Sequence, residues 1–274
     1  GGTLYVTLEP CAHTGRTPPC TDAVVAGGVR RVVVALEDPD VRVRGRGIAA
    51  LRAAGIQVEV GLGSDAVAEQ LAPYLKHRST GRPFVVLKLA ATLDGRTAAP
   101  DGTSRWITGA EARADVHRLR AESDAVLVGA GTVRADDPEL TVRPEAERQP
   151  LRVVLGTAPP GARVHPCLEL KGDLGDVLDE LGERGVLQLL VEGGPRVAHA
   201  FHEARLVDRY VLYLAPALLG GDDGHPLLEG AGAATMADAW RGTLRSVVRL
   251  GDDVRFELDP PGPLSGPQTE GQVG

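Results

Sequence analysis

The sequence predicts an α/β protein of two successive units with mostly parallel sheets, the second closed by an antiparallel hairpin. Short apolar runs alternate with helix-like stretches along most of the chain, the order that parallel packing with crossover helices requires. A polar stretch containing Gly and Pro, His77 to Pro83, interrupts that alternation once. Near the C-terminus two alternating runs, Ser246–Leu250 and Val254–Leu258, flank the turn sequence Gly251-Asp252-Asp253.

Taken in order, Leu4–Leu8 reads as a strand and Thr21–Gly28 as a short helix ended by glycines. Arg31–Leu36 is an apolar strand, Gly47–Ala54 a helix stopped by Gly55, and Ile56–Val60 an alternating strand. After the linker, Phe84–Ala91 is a strand. Thr108-Gly109-Ala110-Glu111 reads as a capping box that opens a helix to about Arg120. Ala125–Val128, Leu151–Leu155 and Leu187–Val191 are short apolar strands, and Arg209–Leu219 is another, broken by Pro216. The expected organisation is one domain over 1–80, a second over 82–258, and a disordered tail over 259–274, where Pro and Gly dominate.

The chain has 274 residues, 43% hydrophobic but only 3% aromatic, so Ala, Val and Leu must do the packing. Its net charge of −7, with both signs interspersed, argues against a nucleic-acid binder. Three cysteines, Cys11, Cys20 and Cys167, do not make a disulfide framework. No apolar run reaches the ~20 residues of a membrane span. A cytoplasmic protein without membrane or nucleic-acid partners is expected, and a homo-oligomer. The opening Gly1-Gly2-Thr3, without Met and running straight into a strand, reads as the start of a fragment.

Four segments have the residue types that chemistry needs. Glu9-Pro10-Cys11 through Pro19-Cys20 places two soft thiol ligands beside a helix, which resembles the second half of a zinc-deaminase signature. None of the seven histidines has Glu two residues later, so the third ligand and the proton shuttle are missing. Two reduced cysteines without metal is the equal alternative. Lys88 interrupts an apolar strand, either as a cation at a cleft or as a strand-end side chain reaching water. Val128-Gly129-Ala130-Gly131-Thr132 followed by Asp136-Asp137-Pro138 suits either close approach of a ligand or a plain turn. Val191-Glu192-Gly193-Gly194-Pro195 sets a helix start at the carboxyl edge of a strand, where phosphates bind in open α/β sheets, or is an ordinary tight turn. Arg113, His117 and Arg120 share a helix face, either a solvated one or one from which a member reaches a substrate phosphate through the planar fork of Arg.

Together these segments resemble the bifunctional deaminase/reductase family of riboflavin biosynthesis. The first eighty residues resemble the C-terminal half of its cytidine-deaminase-like domain, through Thr7 to Cys20. The rest resembles its dihydrofolate-reductase-like domain, through Lys88–Arg96, Ser104–Thr108, Val128–Val133, Ala135–Arg143 and Val191–Pro195. The resemblance implies NADPH-dependent reduction of a phosphoribosylaminouracil to its ribitylamino product, with deamination only if a missing N-terminal part is supplied. It implies zinc at Cys11 and Cys20, an incomplete site. Ala91, Trp106, Thr132, Asp136 and the turn Gly194, Pro195, Arg196, Val197, Ala198, His199 and Ala200 would line the NADPH site. Ser104, Arg120, Leu140, Arg143 and Glu192 would contact substrate, and Lys88 and Asp136 would lie near the reacting carbon. The stretch Gly156 to Asp173 is shorter than the family's. A reductase of the same fold acting on a pterin or another pyrimidine is the alternative, followed by a non-catalytic binding protein and a working deaminase.

Overall fold

Parallel strand pairing organises both units of the computed structural model, which describes residues 1–15, 17–144 and 146–261. The units are Gly1–Pro83 and the part from Phe84 onward. In the first, β1 (Thr3–Leu8), β2 (Arg31–Leu36) and β3 (Gln57–Val60) form a parallel sheet in the order β1-β2-β3. The helices are α1 (Cys20–Ala26), α2 (Arg46–Ala53), α3 (Ser64–Gln70) and α4 (Ala72–Thr80). Val32 and Val34 of β2 and Ile48 and Leu51 of α2 make its core. The helix approaches the chain after β1 so closely that a Cβ on Gly47 would lie 1.8 Å from the Pro10 carbonyl oxygen. The buried Glu9 carboxylate accepts the backbone N–H groups of Gly45, Gly47 and Ile48 at 2.8, 2.7 and 3.0 Å.

The expected linker is partly helix. α4 continues to Thr80, because the Ser79 and Thr80 hydroxyls donate back to the carbonyls of Leu75 and Lys76. Gly81, with φ 78°, ends the helix in the left-handed region.

The second unit contains β4 (Phe84–Thr92), β5 (Arg96–Ala98), α5 (Ala110–Ala121), β6 (Ala125–Gly129) and α6 (Ala130–Asp136). It continues with β7 (Leu151–Leu155), β8 (Leu168–Leu170), α7 (Leu174–Glu183), β9 (Gln188–Val191), α8 (Pro195–Glu203) and β10 (Arg209–Ala215). β11 (His225–Pro226), β12 (Thr243–Leu250) and β13 (Asp253–Asp259) follow. Eight strands form the main sheet in the order β12-β13-β10-β4-β9-β6-β7-β8, parallel from β10 to β8 and antiparallel at β13 and β12. β5 and β11 pair separately. The expected α/β class, mostly parallel sheet and terminal hairpin are all present.

Side-chain alternation along β4 defines the two faces. Val85, Leu87 and Leu89 pack with α7 and α8, through Val177, Leu178, Leu181, Ala198 and Phe201. Val86 packs on the other face with α5 and α6, through Ala112, Val116, Leu119 and Val133. Among the described residues no helix is long and apolar enough to cross a membrane.

Two expectations need correction. Glu111 and Thr108 do not form a capping box; α5 begins at Ala110 after Gly109 without a side-chain cap. The Gly109 N–H goes instead to the buried Asp253 carboxylate at 2.7 Å, a charged partner brought in by the distant hairpin. The tail does not start at Asp259, because that residue closes β13 and its carboxylate pairs with Arg209 and Arg245 at 3.1 and 2.6 Å. The rest of the expected tail, from 262, lies outside the described residues.

Candidate active site

β6 and β9 are neighbours in the sheet, yet the helices that follow them leave to opposite faces, α6 to one and α8 to the other. Such a divergence opens a crevice at the carboxyl ends of the strands, where open α/β sheets bind ligands. Glycines at both strand ends let α8 pack close against them. A Cβ on Gly193 would lie 2.5 Å from Val197 Cγ1, and one on Gly129 would lie 2.8 Å from Val197 Cγ2. The Gly194 N–H donates to the Thr132 hydroxyl at 3.2 Å, so the two glycine turns read separately in the sequence meet here. Pro195 starts α8, and no side chain caps it, which leaves first-turn N–H groups for an anion.

A charged trio lies beside this crevice. Arg120 of α5 donates to both oxygens of Glu192, at 2.6 and 3.0 Å, and Lys88 Nζ lies 4.0 Å from Glu192 Oε2. The side chains of Lys88, Arg120 and Glu192 are 18%, 15% and 9% exposed. Lys88 is the fifth residue of the nine in β4, so it is no strand-end side chain reaching water. Its Nζ faces the Tyr213 ring, 5.9 Å from the centroid. Burial pushes the Lys88 ammonium below its ordinary range; Glu192 opposes the shift and Arg120 adds to it. Burial alone would raise the Glu192 carboxyl, but Arg120 and then Lys88 hold it below the usual carboxylate range. Two cations against one carboxylate leave an excess positive charge in a poorly solvated place, suited to an electron-rich or anionic ligand.

The same helix face supplies more than a solvated stripe. His117 Nδ1 lies 3.0 Å from the Thr141 carbonyl oxygen, which also accepts from Arg120 at 3.1 Å. Burial, and then Arg120, lower the His117 pKa. Arg113 stacks 4.4 Å from the centroid of Trp106, itself 70% exposed. Leu140 is buried with φ 55°, the strained backbone position that turns this segment past the trio. Ser104 and Asp136 are half-buried, and the Asp136 carbonyl accepts from Arg105 at 2.7 Å. Arg143 is exposed and pairs with Glu139, which also holds Arg163. Ala91 and Ala198 are fully buried. Arg196 pairs with Glu229 at 2.7 Å, and His199 Nε2 lies 2.8 Å from the Ala231 carbonyl oxygen, so these two side chains of α8 hold the 229–231 loop. An acidic groove along α7, lined by Asp176, Asp179, Glu180, Glu183 and Arg184, includes none of these residues.

A family model described as the RibD C-terminal domain matches residues 83–256. The chain belongs to the RibD family. Riboflavin biosynthesis protein RibD of Chlamydia muridarum is 46% identical over 266 residues, which cover 83% of this chain and 71% of that relative. RibD of Acinetobacter baumannii superposes with a TM-score of 0.88 at 39% identity, covering 95% of this chain and 81% of the other. A Thermotoga maritima protein named diaminohydroxyphosphoribosylaminopyrimidine deaminase/5-amino-6-(5-phosphoribosylamino)uracil reductase gives 0.85 at 32%, covering 94% and 79%. This chain therefore contains the RibD reductase domain, an enzyme domain of riboflavin biosynthesis whose family uses NADPH.

In the other unit of this RibD chain, Cys11 and Cys20 bring their sulfurs to 3.4 Å, and the Cys20 N–H points to Cys11 Sγ. Two thiolates about 2.3 Å from one tetrahedral zinc would be about 3.8 Å apart, so the pair fits as half a ligand set. Among the described residues no His, carboxylate or third Cys completes a ligand cluster with them. Glu9 is occupied by three backbone N–H groups. The residues therefore do not hold a zinc site by themselves. The sequence puts Arg113 and His117 on one face with Arg120 but assigns neither of them a role of its own in the reductase site. Their shared face with Arg120 was readable, but Thr141 and Trp106, their partners, lie elsewhere in the chain.

Proposed function

We propose that the unit from Phe84 reduces 5-amino-6-(5-phosphoribosylamino)uracil, the compound named for the Thermotoga maritima relative, to its ribitylamino product with NADPH. The observation that carries this reading is the buried Lys88–Glu192–Arg120 trio beside the uncapped start of α8. When bound, NADPH supplies a hydride to C1′ of the ring-opened ribosylamino imine. The residues that would hold the cofactor are Thr132 and the turn from Gly194 to Ala200, Ala91 near the end of β4, Asp136 at the end of α6, and the exposed Trp106. Arg196 and Val197 contribute backbone N–H groups of the first turn, since the side chains of Arg196 and His199 are engaged with the following loop.

Hydride addition turns the C1′=N double bond into a single bond, and the nitrogen takes up one proton. Lys88, with its depressed pKa, holds a proton that it gives up more readily than an ordinary ammonium. Asp136 is the relay that returns a proton to the site. Arg120 and Glu192 fix the pyrimidine, Ser104 and Leu140 border it, and Arg143 takes the 5′-phosphate in exchange for Glu139. The substrate is a small molecule, with no nucleic-acid or membrane partner; the setting is cytoplasmic and the assembly a homo-oligomer. Zinc belongs to the deaminase half, where Cys11 and Cys20 supply two ligands.

The test is loss of nicotinamide absorbance when the purified chain meets NADPH and one candidate at a time. The phosphoribosylaminouracil should drive oxidation, and a pterin should not. A folded sample that oxidises NADPH with the pterin alone, or with neither, would refute the reading.

A further inference from the structure

We propose a zinc-binding site at His165, Cys167 and Glu169, at the edge strand of the reductase sheet. It involves neither the crevice nor Cys11 and Cys20. Cys167 and Glu169 alternate along the chain entering β8, so their side chains share one side, and a bend at Pro166 brings His165 to them. One ligand atom from each lies within 4.8 Å of the other two. Cys167 Sγ is 3.6 Å from His165 Nδ1. Thiolate and imidazole ligands at about 2.3 and 2.05 Å from a tetrahedral zinc would be about 3.6 Å apart. An S–H···N contact would have a similar length, so the pair alone decides nothing. The convergent carboxylate and the supports behind the ligands point to a cation.

Those supports come from the loop before the strand. His165 Nε2 lies 3.1 Å from the Pro159 carbonyl oxygen. An N–H donated there puts the lone pair on Nδ1, facing the sulfur. Metal-bound histidines are oriented in the same way, by a backbone acceptor on their second nitrogen. Glu169 Oε1 accepts the Ala158 N–H at 3.0 Å, which orients the carboxylate and leaves Oε2 available. Cys167 is a free, half-buried thiol. Sulfur and imidazole with one carboxylate suit zinc over magnesium or calcium, and water would fill the fourth position. On binding, the Cys167 thiol loses its proton to solvent; thiolate and carboxylate then neutralise the two charges of the ion. Burial and then Glu169 raise the thiol pKa, Arg152 opposes them, and a bound cation would outweigh the rise by favouring the thiolate.

The site would clamp the edge where β7 leaves the sheet. The Gly156 N–H donates to the Leu170 carbonyl at 2.8 Å, and a Cβ on Gly156 would lie 3.0 Å from Ala130 Cβ, at the start of α6. Fixing β8 therefore stiffens the turn behind Thr132.

Cobalt(II) alone is the probe, added to the 274-residue C11S/C20S chain after chelator treatment. One equivalent should give a thiolate-to-cobalt charge-transfer band, and zinc should remove it by displacement. Cys167→Ser should abolish the band, while His165→Ala and Glu169→Gln should weaken binding by more than the ~10–100-fold that losing an outer-shell partner costs. A missing band, or one that survives Cys167→Ser, overturns the site. A second measurement does not depend on the C11S/C20S chain folding. In the wild-type chain, alkylation of each cysteine is mapped by peptide mass spectrometry with and without zinc. Zinc should slow modification of Cys167 in wild type but not in His165→Ala. Equal rates at Cys167 with and without zinc overturn the proposal.

Discussion

Lys88 was legible in the sequence because a cation in an apolar strand is costly without a partner. What the sequence could not supply was the partner: Glu192 follows a strand a hundred residues later, and Arg120 sits on a helix between them. If Lys88 gives the proton, Lys88→Met should keep the packing and NADPH affinity while single-turnover hydride transfer falls by ~10²–10⁴-fold. Near-normal transfer would reduce Lys88 to a balancing charge. The pair beside it makes a separate prediction about stability. Glu192 is held below its unfolded pKa of about 4.3. Its stabilising contribution is therefore present above that value and lost as pH falls through the lower folded value. Arg120→Met removes the main cause of that depression and leaves a buried carboxylate with only Lys88 at 4.0 Å. Burial then raises the Glu192 pKa above its usual range. The cost should be about 3–5 kcal/mol near neutral pH, and it should shrink in acid, as the carboxyl is protonated. Urea unfolding of both proteins at neutral and acid pH measures this. A cost independent of pH would mean that Arg120 matters through packing alone.

At the scale of elements, periodicity and turn chemistry were readable and long-range partners were not. The hairpin around Gly251, the strand into Glu192 and the helix after Pro195 all appear where their local signals put them. The capping box at Thr108 failed because Asp253, distant in sequence, offers the first turn of α5 a charged acceptor that local reasoning cannot see. α7 bore its own signals, an Asp173 cap at 2.7 Å and apolar residues at Val177, Leu178 and Leu181. The short β8 has too few residues to show a period. Glycines are a subtler case. Gly193 looked like a turn residue, but the structure gives it a packing reason, since a methyl group would overlap Val197 at the base of α8. Gly193→Ala should push α8 from the strand end. The expected outcome is a stability loss of about 1–3 kcal/mol from overpacking, together with loss of NADPH binding measured by fluorescence. An Ala variant that binds NADPH normally would mean that α8 does not form the cofactor wall.

Across the whole molecule, the two units differ in how complete their chemistry is. The RibD reductase domain brings a glycine-walled crevice, a charged trio and a helix start into one place. Among its described residues the first unit brings two thiols together without a third ligand. The Glu9 carboxylate, two residues from Cys11, is spent on three N–H groups at the start of α2, so it cannot also shuttle protons. Hydrolytic deamination needs a metal-bound water and a proton carrier together. Two ligands leave zinc without the third protein contact that catalytic sites have. The 274-residue chain should therefore oxidise NADPH with the deaminated substrate yet release no ammonia from its aminated precursor. Zinc at Cys11 and Cys20 should be lost on dialysis against a chelator, read as full alkylation of both cysteines afterwards. Ammonia release, or lasting zinc protection of Cys11 and Cys20, would show that a third ligand is recruited from a residue that neither sequence nor geometry identifies.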